Sequence, residues 1–109
     1  AHMDLVNLIN CPRKYYKSAD IACEYVRLLG DHIVSAHAKD IAMIQDVSVI
    51  MHEVIPGHGN IDYATYLSVL HKLPQVVPLM LEHLSTQKEY DEGIDYIRQV
   101  AAAEQIPFC

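Results

Sequence analysis

The chain has 109 residues, with 8 Lys and Arg against 14 Asp and Glu, a formal net charge of -6 and 51% apolar residues. Those figures describe one small folded domain, not a disordered chain, and a chain too short for a complete eight-stranded barrel of about 250 residues. The acidic balance argues against nucleic acid and against an anionic membrane surface as partners, since both select positive charge, and no apolar run reaches the ~18 residues of a membrane span.

Ala1-His2-Met3 reads as a cloning remnant or start and is set aside. Residues 4–10 form an apolar run ended by Cys11-Pro12, which predicts a short buried strand. Arg13 to Lys17 make a basic, aromatic loop, either solvated or able to hold a phosphate. Ser18 is placed to cap the next helix, whose apolar face is Ile21, Tyr25, Leu28 and Leu29 and whose end is Gly30. A second strand follows at residues 33–38, closed by Lys39-Asp40. Ile41 to Ile50, interrupted by Gln45-Asp46, reads as a long loop holding a small hairpin. Pro56 to Asn60 is a dense turn signal. Asp62 caps a helix with Tyr63, Tyr66, Leu67 and Leu70 on its core face, and Pro74 lies beyond it. Residues 77–82 are a third buried strand. Thr86 and Glu89 have capping-box spacing and open a last helix bearing Tyr90, Ile94, Ile97 and Val100 on one face.

Strands that alternate with helices predict a parallel sheet. In such folds chemistry gathers at the carboxyl ends of the strands. His37, Lys39 and Asp40 stand at the end of the second strand, Glu82 and His83 at the end of the third, and Asp4 and Asn7 in the first. An imidazole with carboxylates from neighbouring strands is a donor set for a divalent cation. Each residue has a plainer alternative. His37 suits a hydrogen-bonded core histidine, Asp4 a solvated carboxylate near the chain start, Lys39 and Asp40 a surface ion pair, and His58 a solvated turn. Glu82 is harder to place that way, because a carboxylate ending a buried strand needs a partner, a proton or a metal. Cys11, Cys23 and Cys109 are odd in number and widely spaced, which predicts reduced thiols and a cytoplasmic protein.

Four segments together carry a resemblance. They are Asp4-Leu5-Val6-Asn7-Leu8-Ile9-Asn10, His37-Ala38-Lys39-Asp40, the stretch from Ile55 through Gly57-His58-Gly59 to Tyr63, and Leu79-Met80-Leu81-Glu82. In this order they resemble the C-terminal part of the xylose isomerase-like TIM barrels, most closely the sugar phosphate isomerase/epimerase group. The resemblance implies an α/β fold that is a partial (β/α) TIM barrel, three parallel βα units corresponding to the sixth to eighth. It implies a divalent metal, Mn²⁺, Mg²⁺ or Co²⁺, held by Asp4, His37 and Glu82, with a further Glu on an earlier strand that this chain does not contain. Glu82 becomes the catalytic carboxylate, and Lys39, Asp40 and His58 become substrate contacts.

The implied function is that of a fragment of a metal-dependent sugar or sugar phosphate isomerase/epimerase, working by metal-stabilised enediolate proton transfer and incomplete in isolation. With one ligand missing, the piece alone is expected to bind metal weakly or not at all. Its partners would be a small sugar or sugar phosphate, with no nucleic acid and no membrane. Exposed sheet edges are expected to make it a homo-oligomer, and a non-catalytic, self-associating barrel piece is the alternative. An endonuclease IV-type nuclease fits less well. That pattern has a His where Asn7 stands and an Asp-x-His pair where this chain reads Met51-His52-Glu53.

Overall fold

In the computed structural model, which describes residues 1–45 and 48–108, short strands alternate with helices. The order is β1 (His2–Met3), a 3-10 turn (Val6–Leu8), α1 (Pro12–Tyr15), α2 (Ser18–Leu29), a second 3-10 turn (Gly30–His32), β2 (Ser35–Ala38), β3 (Asp40–Gln45), β4 (Val49–Val54), α3 (Tyr63–His71), β5 (Leu79–Leu81) and α4 (Gln87–Ala103).

These elements correct the expected partial TIM barrel of three parallel βα units. The strands β1, β2 and β5 form a three-stranded parallel sheet in the order β1-β2-β5, with Met3 opposite Ala36 and His37 opposite Met80. A separate two-stranded antiparallel sheet, β3 and β4, lies between β2 and α3 in the chain. The molecule is therefore a small α/β domain with two sheets. The reason is chain length between the strands. A parallel neighbour needs a crossover of about a dozen residues or more, and only residues 46–48 separate β3 from β4. With so few residues between them, β3 and β4 pair antiparallel from Asp40 opposite Val54 to Gln45 opposite Val49, a larger hairpin than the small one expected within a loop.

The first strand also differs from expectation. His2 and Met3, set aside in the sequence reading, pair with Ser35 and Ala36, and Met3 is fully buried. Residues 4–10 are not a strand. Asp4 accepts hydrogen bonds from the Asn7 backbone amide (3.4 Å) and from Asn7 Nδ2 (3.0 Å), which closes a turn where extension was expected. Leu5 and Val6 still enter the core, but from a 3-10 turn. Pro12, at the first position of α1, then draws the Arg13–Tyr15 stretch into one helical turn.

The core joins Met3, Leu5, Ile33, Ala36 and Ala38 to Tyr63, Tyr66, Ile97 and Ala101. Helix α2 faces it with Ala22, flanked by Ile21, Tyr25 and Val26, while Leu28 and Leu29 are exposed, contrary to the predicted face. Helix α3 packs against both α2 and α4, and the Tyr63 ring meets Tyr96 edge-on at 5.6 Å.

The caps follow the sequence more closely. The Asp62 carboxylate accepts from the Thr65 amide at 2.9 Å, and Thr86 and Glu89 complete a reciprocal capping box on α4. Ser18 does not cap α2. Its hydroxyl accepts from the Asp62 amide (2.9 Å) and donates to the Asn60 carbonyl (3.4 Å), tying α2 to the start of α3. Cys11 and Cys23 are free thiols. Asp46 and Cys109 lie outside the described residues. Among the described residues no helix is long and apolar enough to cross a membrane.

Candidate metal centre

Parallel pairing puts the carboxyl ends of β1, β2 and β5 at one end of the sheet. Asp4 directly follows β1, Glu82 directly follows β5, and His37 lies within β2 with Lys39 two residues on, on the same face. Helix α3 fixes that end of β2. The Tyr66 hydroxyl donates to the His37 carbonyl at 2.8 Å and the Tyr63 hydroxyl to the Lys39 carbonyl at 2.6 Å. Burial pushes both phenols well above their ordinary range, with Asp40 adding to it at Tyr63 and Asp4 at Tyr66, so they remain donors.

The side chains converge. His37 Nδ1 lies 3.2 Å from Asp4 Oδ2 and 3.1 Å from Glu82 Oε1. One donor atom from each of Asp4, His37 and Glu82 falls within 4.8 Å of the others. Asn7 steadies Asp4 through the bond to Oδ2, and the His2 ring stands edge-on to His37 at 4.1 Å. One imidazole and two carboxylates suit Mn²⁺, Co²⁺ or Mg²⁺ with coordination positions left open, so the donor chemistry fits such an ion.

A cation of the protein's own already sits among these groups. Lys39 Nζ lies 2.6 Å from Glu82 Oε1, 2.8 Å from Asp4 Oδ2 and 3.4 Å from Glu53 Oε1, with its side chain only 3% exposed. The predicted Lys39–Asp40 surface pair is thus corrected: both residues are buried and neither is the other's partner. Burial alone would lower the Lys39 ammonium, but hydrogen bonds to Asp4 and Glu82 and the charges of Asp4 and Glu53 outweigh it and hold it above its ordinary range. The Asp4 carboxyl is raised by burial, yet Lys39 and His37 bring it below its usual value. The Lys39 hydrogen bond does the same for Glu82, against a smaller effect of burial.

Asp40 performs a different task from the substrate contact expected of it. Its Oδ1 accepts from the amides of Ile41 and Ile61, both at 2.9 Å, and its Oδ2 from those of Gly57 (2.8 Å) and Gly59 (3.1 Å). At 1% exposure, with both oxygens taken by backbone donors, it anchors the 55–61 turn. The two glycines permit this. Gly57 has φ +101° with the Tyr96 ring close by, and a Cβ on Gly59 would collide with the Asp40 carboxylate and the Ile41 carbonyl.

His58, also expected at substrate, lies instead in a separate open groove of about 590 Å³ with Lys88, Asp91 and Tyr96. Its Nε2 is 2.5 Å from Glu92 Oε1. The cavity beside the charged cluster is smaller, about 180 Å³, and is lined by Lys39, Glu53, Glu82, His83 and Glu89 among others.

One member of the cluster, Glu53, has no place in the sequence reading, and His83 enters it only as the neighbour of Glu82 at a strand end. Glu53 reaches Lys39 from β4 and meets His83 Nδ1 at 2.7 Å, while His83 Nε2 lies 3.5 Å from Glu82 Oε1. His83 has φ +62°, a conformation that costs a residue with a Cβ and aims the ring back at these two carboxylates. The signal for Glu53 is the hairpin register, which sets it opposite Ile41, two residues from Lys39.

Fold and site together define a small α/β domain with an acidic, histidine-containing cluster closed around a buried lysine. Compared with family models, curated proteins and solved structures, the chain finds no match in any of the three.

Proposed function

We propose that Asp4, His37 and Glu82 form a divalent-cation site for sugar or sugar phosphate isomerase chemistry, with Glu82 as the carboxylate that moves the proton. One observation carries the reading: the three donor groups meet within 4.8 Å at the carboxyl end of a parallel sheet. A bound Mn²⁺, Mg²⁺ or Co²⁺ would supply Lewis-acid stabilisation of negative charge on a substrate oxygen. The chain's own residues do the rest. Asn7 orients the Asp4 carboxylate, and Tyr66 holds the His37 strand in place. Glu82, whose carboxyl Lys39 holds below its usual range while no metal is bound, is the carboxylate that takes the proton.

The cavity of about 180 Å³ is below the ~300–1,000 Å³ of ordinary ligand pockets, so a sugar is held openly and weakly. A single carboxylate exchanges a proton on one face of a carbon, whereas epimerisation needs a second group on the opposite face. The test is a set of ketoses and ketose phosphates incubated with the chain and Mn²⁺ in D₂O. Proton NMR at the carbon beside the carbonyl is expected to show slow deuterium wash-in without inversion, lost in Glu82→Gln. Wash-in that is absent, or unchanged in that variant, refutes the isomerase chemistry.

A second reading, self-association, has its own observation. Among the described residues, strands β1 and β5 are each paired on one side only, Met80 of β5 is 44% exposed, and Ile44, Val49 and Ile50 on the hairpin are about half exposed. The occupant of such edges is a second copy of the chain. Sedimentation at low micromolar concentration is expected to show a dimer or larger species, weakened by Ile50→Lys; a clean monomer refutes it.

A further inference from the structure

The oxygens that a metal would need are the ones Lys39 already holds. Asp4 Oδ2 and Glu82 Oε1 each contact both His37 Nδ1 and Lys39 Nζ. A divalent ion bonded to Glu82 Oε1 at about 2.2 Å would lie within about 5 Å of the ammonium in its present place, in a setting where like charges repel strongly. The ion and the ammonium therefore compete for one pair of oxygens.

The surroundings supply a second place for the lysine. Glu53 Oε1 is already 3.4 Å from Nζ and accepts from it. The cavity next to it is lined by Glu53 and Glu89 as well as Glu82. A displaced ammonium swinging toward that cavity keeps a carboxylate partner. It does not have to be buried unpaired, which would be costly.

We infer that Lys39 is an internal cation that fills the Asp4–His37–Glu82 site when no metal is bound and must swing toward Glu53 to admit one. This rests on the cation-site reading above and adds its regulation. The lysine sets the affinity threshold, so the site stays closed to scarce divalent ions and opens when they are abundant. It also keeps the two carboxylates neutralised, and so the fold intact, without metal.

The experiment is Mn²⁺ binding to the full chain, measured from the free-ion electron spin resonance signal, for wild type, Lys39→Met and Lys39→Arg. Removing the competing charge is expected to tighten binding about tenfold or more, each tenfold corresponding to about 1.4 kcal/mol, while Lys39→Arg stays near wild type. A readout in the unmutated protein guards against misfolding of Lys39→Met. Amine acetylation followed by mass spectrometry should find Lys39 protected without Mn²⁺, and labelled faster with it, relative to Lys88. Equal Mn²⁺ affinity in wild type and Lys39→Met, or labelling of Lys39 that ignores bound Mn²⁺, overturns the lysine's role and leaves the cation site standing. No Mn²⁺ binding by wild type or Lys39→Met overturns both.

Discussion

Lys39 and Asp40 are neighbours in sequence and equally buried, yet they hold the molecule together in opposite ways. Asp40 turns into the 55–61 turn, where four backbone amides satisfy it. Lys39 turns to the end of the parallel sheet, where its partners are the side chains Asp4, Glu82 and Glu53. Backbone donors are fixed by the fold, so nothing can replace the carboxylate they surround. Side-chain carboxylates accept any cation of suitable size, so the lysine among them is exchangeable. A buried charge is a structural part in the first setting and a candidate for function in the second.

The largest effect expected to test this contrast is on stability. Asp40→Ala strands several buried amides and should cost about 3 kcal/mol or more in urea unfolding, with no rescue by Mn²⁺. Loss of under about 1 kcal/mol, the range of ordinary surface changes, would break the comparison on the Asp40 side. Thr86→Ala removes the cap of α4, remote from both settings, and should cost about 1 kcal/mol while leaving Mn²⁺ affinity unchanged. A shift in affinity there would mean that the site senses general stability instead of its own ligands.

The pH response is the smallest effect and sharpens the Lys39 side. Asp4 and Glu82 have folded values below their ordinary 3.8 and 4.5, so the stability they contribute is present above pH 4.5 and is lost as pH falls through the lowered values. Lys39 is raised above 10.5, so its contribution is present below that pH and is lost as pH rises through the raised value. Because Glu82 is partly exposed and screened, the loss tied to it should stay within about 1 kcal/mol. Urea midpoints across pH should be flat near neutrality and fall at both ends. In Lys39→Met the alkaline fall should be reduced.

Much of this was legible in the sequence where the signal is local. The capping box of Thr86 and Glu89, the Asp62 cap and the apolar face of α3 depend on residues three or four apart, and they stand as read. The meeting of His37 and Glu82 was also legible, because parallel strands share an end whatever lies between them, whereas Asp4 joins them only because the first strand ends at Met3 and residues 4–10 are not a strand. The barrel-like architecture failed because a run of strand-forming residues does not state its partner. The short 46–48 connection decided for an antiparallel hairpin, and that register alone brings Glu53 to Lys39. Asp40 was misread for a related reason. Its four donors are amides from residues 41 to 61, which carry no side-chain signal at all. The position of β1 was missed because His2 and Met3 were set aside, although Met3 is among the most buried residues of the core.

The central claim is that Asp4, His37 and Glu82 act together as one cation site. It is tested most directly by titrating Mn²⁺ into wild type and His37→Ala at neutral pH and counting bound ions from the free-ion resonance. The account predicts one ion per chain in wild type, held weakly with Kd about 0.1–1 mM, the weak end for oxygen-rich sites, and no saturable binding in His37→Ala. Absence of binding in wild type, or undiminished binding in the variant, would contradict it.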